Sequence, residues 1–502
     1  MNDQSDLFAS RTSTNGNATV PSVERFQGAI VFSAIGDALG WPTEFLGRQP
    51  RRNPSFEYPV KSFVRWTKLV GGRWWGYRDE ISPGQYSDDT QLAIAVVRSL
   101  SATGEFQPDR FAYLELPLWL QYERGGGKSI KTAARSLLRR QADWFSNFYK
   151  LGDLDYRNAG ANGAAMRNLP IALSSYWDES RMVRDSFFNS IITHGHPRAI
   201  LGSMLLGHAV RFALTEKDSA PDKFIDCLRN SIDAYYFNGT DDVRIKNWIR
   251  DWDKASNNGR TFASLFQETR QEAHKYLTAI PEYLSSPTED YYDFVGATNP
   301  STKGSGLSTV CAAIFQFAKR SEEPVECLLE AINLLGSDTD TIGAFLGGLL
   351  GARHGLDAIP DNLLEEIQDR EYLLGLGRLI RRLSSKEVSD QVESDEPLQR
   401  DSALVSILAW EVGLHEMFWD AITVGGKVIH PTLGQGTITQ KQVKDIAREG
   451  YVAKLINILF DCGQTCVFHS RVENETRVFG SFGKELVDAL KDVPLTDKPN
   501  SK

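Results

Sequence analysis

The sequence has little cysteine and no surplus of positive charge, and both deficits argue against whole classes of protein. Five cysteines among 502 residues are few, scattered and odd in number, which argues against a disulfide framework and fits a reducing cytoplasm. Cys462 and Cys466 lie four residues apart without a matching second pair, so they do not predict a zinc site. A formal net charge of −9 leaves no basic surplus for bulk nucleic-acid binding.

Long apolar runs and a targeting segment are also missing. No run reaches the roughly 18 apolar residues that a membrane span needs, so no membrane association is expected. The chain begins MNDQSDLFASRTSTNGNATV, which has neither the basic nor the apolar stretch of a signal peptide. We therefore expect a cytoplasmic protein in which residues 1–22 form a disordered arm.

Hydrophobic patterning divides the rest of the chain into two units. From 23 to 383, apolar residues recur at helical spacing, as in QLAIAVVRSL and AILGSMLLGHAVRFAL, which predicts an all-α domain. Residues 384–400, SSKEVSDQVESDEPLQR, have the polar, acidic composition of a linker. A helical lead-in and the β-prone segments KVIHPTLGQGTIT, YVAKLINILF and QTCVFHS then predict a small β-rich module within 401–492. Residues 493–502 are expected to be a disordered tail.

Two short acidic clusters each stand directly before a helical run. The first is SDDT at 87–90, and the second is DTDT at 338–341. Either cluster alone is typical of a helix start, because Ser and Asp cap the first turn and acids suit the helix dipole. Together they offer four carboxylates and the hydroxyls beside them, which are the oxygen donors that Mg²⁺ or Mn²⁺ prefers. Paired cations need such bridging carboxylates, so the clusters are predicted to meet in space.

Glycines occur in two helices that adjoin this predicted site. Gly343, Gly347 and Gly351 recur every four residues after the second cluster, so one helix face lacks side chains and another helix can approach closely. Upstream, a helix predicted to end at Gly40 leads into a proline-containing loop that carries Glu44. A carboxylate on such a loop can gate a metal site, whereas a solvated surface acid is the ordinary alternative.

Six segments spread over residues 25–355 form an ordered pattern. They are GAIVFSAIGDALGWPTEF, YSDDTQLAIAVVRSL, NGAAMRNLPIAL, THGHPRAILGSMLLGHAV, KGSGLSTVCAAIFQFAK and GSDTDTIGAFLGGLLGARHG. In sequence and order they resemble the ADP-ribosylglycohydrolases. The resemblance implies an all-α hydrolase that cleaves the glycosidic bond between ADP-ribose and an acceptor, with an arginine-linked ADP-ribosylated protein favoured. The alternatives are serine, nucleic-acid-base or small-metabolite conjugates, or a non-catalytic ADP-ribose-binding protein.

The resemblance also implies a dinuclear Mg²⁺ or Mn²⁺ centre. Carried over by motif, its ligands would be Ser87, Asp88, Asp89, Asp338, Asp340 and Thr341. The family often has Thr where Ser87 stands, and Ser keeps the hydroxyl. Glu44 would match a flexible-loop glutamate near the metals and the scissile ribose. Glu44 and Asp340 are the candidate catalytic groups, which would orient water or stabilise an oxocarbenium-like state.

Two further segments would line the substrate groove by the same resemblance. The candidate substrate-binding residues are Gly125, Gly127, Asn162, Gly163, Met166 and His194. The glycines of GGGKS at 125–129 can expose backbone N–H groups to anionic oxygens, although they lack the spacing of a P-loop. Small residues in NGAAMR at 162–167 let the backbone approach the ribose and diphosphate. For His194 taken alone, a hydrogen-bonded structural histidine is the alternative.

The C-terminal module has a weaker resemblance of its own. KVIHPTLGQGTI at 427–438 is similar to the opening of small Tudor- or SH3-like barrels, which implies contact with a protein partner. The alternative is a stabilising appendage that packs on the helical domain. His430 is predicted to be structural in either case.

Overall fold

The computed structural model covers the helical domain and most of the C-terminal module. It describes residues 20–48, 54–71, 75–216, 220–233, 235, 242–256, 259–384, 398–414 and 419–473. The expected arm, linker and tail lie outside these residues, apart from 20–22, 384 and 398–400. The division of the chain into those units stays a prediction.

Helices dominate the chain up to residue 384. The longer ones are α1 (Val23–Glu44), α2 (Asp88–Val97), α3 (Lys128–Leu137), α4 (Glu179–Ile191), α5 (Pro197–Thr215), α6 (Pro221–Asp233), α7 (Val243–Lys254), α8 (Phe262–Tyr283), α9 (Gly306–Arg320), α10 (Pro324–Ile332), α11 (Thr339–His354), α12 (Arg370–Leu383) and α13 (Arg400–Gly413). Shorter helical segments span Pro108–Arg110, Phe111–Glu115, Leu116–Trp119, Trp144–Ser146, Tyr156–Asn158, Asn162–Ala164, Leu169–Ser174, Thr288–Phe294, Leu356–Ala358 and Asp361–Glu366. None of the helices within the described ranges is long and apolar enough to cross a membrane.

The strands are β1 (Trp66–Val70), β2 (Tyr77–Ile81), β3 (Lys150–Leu151), β4 (Leu154–Asp155), β5 (Lys427–His430), β6 (Gly434–Asp445), β7 (Tyr451–Phe460) and β8 (Thr465–Glu473). The pairs β1–β2 and β3–β4 form antiparallel hairpins inside the helical domain. The remaining strands form one antiparallel sheet in the order β5-β6-β7-β8. The predicted architecture, a helical domain followed by a small β-rich module, is confirmed.

Helices α1 and α11 pack against each other through a seam of glycines. A Cβ atom at Gly36 would lie 2.0 Å from the carbonyl oxygen of Gly343, and one at Gly351 would lie 2.1 Å from that of Gly28. Backbones therefore touch where side chains would collide, and the close approach predicted from the glycine spacing is confirmed. Because the pairing is antiparallel, the C-terminal end of α1 meets the N-terminal end of α11.

The predicted end of α1 at Gly40 is wrong. The helix continues through Pro42 to Glu44. Gly40 serves packing instead of capping, since a Cβ there would lie 2.3 Å from the carbonyl oxygen of Thr339. The last turn is held by the Thr43 hydroxyl, which lies 2.8 Å from the Gly40 carbonyl and 2.7 Å from the Ile332 carbonyl. Glu44 therefore ends a packed helix and does not lie on a mobile loop.

The C-terminal sheet is an open meander over the strands described. No described residue of β5 pairs with β8, so the sheet has two edges and no barrel closure. His430 lies in its core, 1% exposed, with its ring packed against Trp410 and Phe468. Its Nδ1 accepts hydrogen bonds from the N–H groups of Thr432 and Leu433, both at 3.2 Å. This placement agrees with the predicted structural role.

The module packs directly on the helical domain. Arg98 of the helical domain donates to Gln464 Oε1 at 2.8 Å, and the Thr465 N–H donates to Asp369 Oδ2 at 2.9 Å. A buried Phe468 ring contacts Tyr122, with 5.6 Å between ring centroids. These contacts fit the appendage alternative, and recruitment of a protein partner stays a prediction.

Candidate active site

The α1–α11 seam brings three carboxylates together. Glu44 ends α1, Asp338 precedes α11 as its N-cap residue, and Asp340 lies in the first turn of α11. One carboxylate oxygen of each residue lies within 4.8 Å of the others. Glu44 and Asp338 are half-buried and Asp340 is buried, so the group is partly accessible to solvent.

The first acidic cluster lies at the start of α2 and adjoins this group. Ser87 is the N-cap residue, and its side chain accepts a hydrogen bond from the Asp89 N–H at 3.2 Å. Asp88 and Asp89 are buried. Burial raises the pKa of Asp89 and the nearby charges, that of Asp338 included, raise it further, while a hydrogen bond from Thr341 opposes the shift. The two clusters meet in space as the sequence predicts.

Asp37 is a residue that the sequence reasoning missed. It is fully buried, and its carboxylate accepts hydrogen bonds from the Ser87 N–H at 3.1 Å and the Thr90 N–H at 3.1 Å. The Thr90 hydroxyl donates to it at 2.6 Å. Asp37 thus ties α1 to the exposed N–H groups at the start of α2. Its position directly after Gly36 in a buried helix was the available signal, since a buried acid requires partners.

The site holds several carboxyl groups that are buried near one another, and this raises their pKa values. Burial and the nearby Asp338 charge raise the pKa of Glu44 to about 8. Burial raises the pKa of Asp88 to about 7, although Lys68 opposes the shift. Burial together with the charges of Glu44 and Asp338 raises the pKa of Asp340 well above its ordinary value. Like charges this close favour protonation unless a cation offsets them.

The donor set fits divalent cations. The Oδ2 atom of Asp89 is buried and has no hydrogen-bond partner among the residues described. A buried carboxylate oxygen without a partner is costly, and a bound cation is one way to satisfy it. All the converging donors are oxygens, which hard cations such as Mg²⁺ and Mn²⁺ prefer.

Two lysines border the acids. The Lys68 ammonium on β1 lies over the Trp41 and Phe45 rings, 4.5 Å and 4.9 Å from their centroids. Lys303 Nζ donates to the backbone carbonyl of Glu44 at 3.3 Å. Both cations lower the pKa of Glu44 without reversing the effect of burial.

The segment predicted to line the substrate groove reaches the acids through Asn162. Asn162 Nδ2 donates to Asp338 Oδ2 at 2.8 Å, which fixes that carboxylate. A Cβ at Gly163 would lie 2.9 Å from the His194 ring, so these two residues touch. Met166 is buried and is 7% exposed.

His194 has the surroundings of a structural histidine. It is 1% exposed, and its Nδ1 lies 2.7 Å from the Thr193 hydroxyl. Burial and the nearby Arg167 charge lower the pKa of His194 to about 3, so the ring stays neutral. A role in substrate binding stays a prediction.

The glycine-rich segment differs from its expected role. The N–H groups of Gly125 and Gly126 both donate to Glu123 Oε2, at 2.9 Å and 3.0 Å. An anionic ligand would therefore compete with a carboxylate for them. Gly127 is the N-cap residue of α3. A Cβ at Gly125 would lie 2.4 Å from Asp88 Oδ1, so this glycine borders the acidic site directly.

A family model described as ADP-ribosylglycohydrolase matches residues 19–391. The chain belongs to the ADP-ribosylglycohydrolase family. This ADP-ribosylglycohydrolase is accordingly a hydrolase that acts on glycosyl bonds, and the resemblance read from six segments is confirmed. The C-terminal module lies beyond the matched residues.

Three relatives illustrate the family. The chain is 26% identical over 352 residues to ADP-ribosyl-[dinitrogen reductase] glycohydrolase of Rhodospirillum rubrum, covering 70% of this chain and 92% of that protein. It is 25% identical to ADP-ribosylarginine hydrolase Tri1 of Serratia proteamaculans, covering 73% and 81%. It is 26% identical to ADP-ribosylhydrolase ARH3 of Danio rerio, covering 68% and 86%.

Proposed function

We propose that the protein cleaves the bond between ADP-ribose and an acceptor with two divalent cations, Mg²⁺ or Mn²⁺, in its acidic site. The proposal is supported by the convergence of the Glu44, Asp338 and Asp340 carboxylates and by the neighbouring Asp89, whose buried Oδ2 has no hydrogen-bond partner among the described residues. The cations would be held by Ser87, Asp88, Asp89, Asp338, Asp340 and Thr341. When bound, they supply positive charge that orients the ribose hydroxyls and offsets the repulsion among the acids.

The chain's own residues supply the remaining chemistry. Cleavage at the anomeric carbon develops positive charge on the sugar ring. Glu44 is half-buried at the mouth of the site, where its carboxylate would stabilise that charge or orient the attacking water. Asp340 stands beside it as the second candidate, and Asn162 holds Asp338 in place through its amide.

We propose an ADP-ribosylated protein as substrate, with arginine as the favoured acceptor. Support comes from two relatives, one named for ADP-ribosylarginine and one for ADP-ribosylated dinitrogen reductase. The acidic surroundings of the site also suit a cationic guanidinium leaving group electrostatically.

The test is release of free ADP-ribose from arginine-, serine- and nucleic-acid-linked substrates, each with Mg²⁺, Mn²⁺ or a chelator. Metal-dependent release from the arginine conjugate is the expected result. Release from another conjugate would identify a different acceptor for the same reaction. No release from any substrate by a protein that binds ADP-ribose would instead identify a binding protein.

A matched pair of variants tests the residue assignment. Asp340→Asn keeps the side-chain shape and removes the charge, so we expect at least a hundredfold loss of turnover and weaker Mn²⁺ binding by calorimetry. Asp361→Asn, at the exposed start of another helix, serves as control and should change neither. Near-normal turnover of Asp340→Asn would show that Asp340 is not part of the active site.

A further inference from the structure

A second cavity lies beside the acidic site, between the helical domain and the C-terminal module. Its volume is about 320 Å³. Lys68, Gly125 and Arg135 line it from the helical domain, and Val467 and His469 line it from β8. The family match ends at residue 391, so this wall is built by a part of the chain outside that match.

The lining carries more positive than negative charge. Arg124 pairs with Asp79 at 3.0 Å, and Lys131 pairs with Glu123 at 3.1 Å. Lys68 and Arg135 also line the cavity, and neither forms an ion pair with a residue that the structure describes. A cleft with surplus positive charge and protein walls concentrates anions. A guanidinium can also hold two oxygens of one oxyanion at once.

Gly125 separates this cavity from the acids by the thickness of one backbone. A Cβ there would lie 2.4 Å from Asp88 Oδ1 and 3.2 Å from Lys68 Nζ. Asp88 and Lys68 therefore both pack against the backbone of Gly125, which places the cavity directly beside the acidic site. A ligand in the cavity would lie one residue's thickness from Asp88.

The module also holds the strand that carries Lys68. Tyr77 of β2 packs with Ala453 and Leu455 of β7, and the Ala447 N–H donates to the Gly76 carbonyl at 3.1 Å. Since β2 pairs with β1 along its whole length, the sheet fixes the hairpin from its outer side. The module thus supplies a wall of the cavity and supports one of its cations.

We propose that this cavity is an anion subsite of the active site, in which Arg135 and Lys68 bind a phosphate or carboxylate of the substrate against a wall formed by β8. The proposal deepens the proposed function, on which it rests for taking the acids as the reaction centre. The anion comes either from the diphosphate of ADP-ribose or from an acidic group of the acceptor.

The first experiment measures binding of inorganic pyrophosphate to the full chain by calorimetry, in the presence of a chelator. Arg135→Gln and Lys68→Gln should each weaken binding about tenfold or more, because each removes a charged hydrogen-bond donor. Arg78→Gln is the control. Arg78 is exposed on β2 and is paired in register with Leu69, so the variant removes a like charge from the same hairpin outside the cavity.

A second pair of variants tests the wall. His469→Glu places a negative charge in the cavity and should weaken pyrophosphate binding as strongly as Arg135→Gln. Thr439→Glu places the same charge on an exposed residue of β6 outside the lining of the cavity, and should leave binding unchanged. Circular dichroism confirms that each variant is folded. Equal binding by all variants and the wild type would overturn the proposal.

Turnover then identifies the source of the anion. A diphosphate source predicts that Arg135→Gln weakens binding of free ADP-ribose by the same factor as pyrophosphate. An acceptor source predicts that the wild type prefers an ADP-ribosylated peptide with Glu beside the linkage over one with Gln, and that Arg135→Gln loses this preference. If the wild type releases no ADP-ribose from any substrate, the proposed function fails. The pyrophosphate titration would still test whether the cavity binds an anion.

Discussion

The glycine seam between α1 and α11 predicts that a single added methyl group damages both stability and the site. In Gly347→Ala the new Cβ would lie 2.2 Å from the carbonyl oxygen of Phe32. Because non-bonded atoms settle at about 3.5 Å, the helices would have to separate by roughly 1 Å. Alanine gains about 1 kcal/mol of helix propensity over glycine. Overpacking against a backbone costs about 3 kcal/mol, so we expect a net loss of about 2 kcal/mol.

The neighbouring glycine is a matched control. In Gly348→Ala the Cβ would lie 3.2 Å from a terminal methyl of Leu169, which can shift by rotation. The same substitution one residue along the same helix should therefore be neutral or slightly stabilising. Urea unfolding of the chelated protein, followed by circular dichroism, measures both free energies of unfolding.

The same separation should weaken cation binding, because Glu44 lies on α1 and Asp340 on α11. Calorimetric titration with Mn²⁺ should show lower affinity for Gly347→Ala than for Gly348→Ala. If the two variants unfold at the same urea concentration, the seam is not tightly packed and the reasoning from backbone contact fails. Lost stability with unchanged Mn²⁺ affinity would show that the site tolerates movement of its two supporting helices.

Three further outcomes are expected from the contacts described. Asp37→Asn keeps one acceptor oxygen but replaces the other, which accepts backbone N–H groups, with an amide donor, and should cost about 3 kcal/mol of unfolding free energy. Thr90→Val, which removes only one hydroxyl bond, should cost about a third of that; equal losses would contradict the capping role. Arg98→Met removes the 2.8 Å ion pair of the buried Glu115 carboxylate, leaves it only the 3.8 Å contact with Arg110, and should cost about 3 kcal/mol. Limited proteolysis should then cut the C-terminal module faster, and a wild-type digestion pattern would count against this. Burial lowers the pKa of His430 to about 3, below its unfolded value, so its contribution to stability is lost as pH falls below about 6.5. His430→Asn should reduce the loss of unfolding free energy between pH 7 and pH 5 by about 2 kcal/mol. An unchanged pH profile of stability would show that His430 does not cause this loss.

The acidic clusters and the glycine seam were predictable because each rests on local spacing. An acid at a helix start and a glycine every fourth residue keep their meaning in any fold. Their meeting in space requires that α1 and α11 pack antiparallel, which the glycines on both helices favour, and that Asp37 hold the start of α2 against α1.

Other features depended on contacts between distant segments. Pro42 predicts a helix end locally, yet the packed backbone of Gly40 and the Thr43 hydroxyl carry α1 on to Glu44. There a tertiary contact outweighs the local preference, and no spacing rule contains that information. The N–H groups of Gly125 and Gly126 donate to Glu123, a neighbour in sequence whose hydrogen bonds the glycine motif alone does not predict.

The acidic site is where the fold departs from the usual rules of burial. The buried carboxylate of Asp37 is stabilised by hydrogen bonds from N–H groups at the start of α2. Asp89, in contrast, keeps a buried oxygen without a partner among the described residues. Glu44, Asp88 and Asp340 have raised pKa values because they are buried near one another. Such a group lowers the stability of the metal-free protein, and the hydrophobic core around it needs none of these charges. Local conflicts of this kind are expected at functional sites. The same argument bears on β8, since its His469 lines the cavity at the edge of that site together with Lys68 and Arg135 while its ring packs against Tyr77.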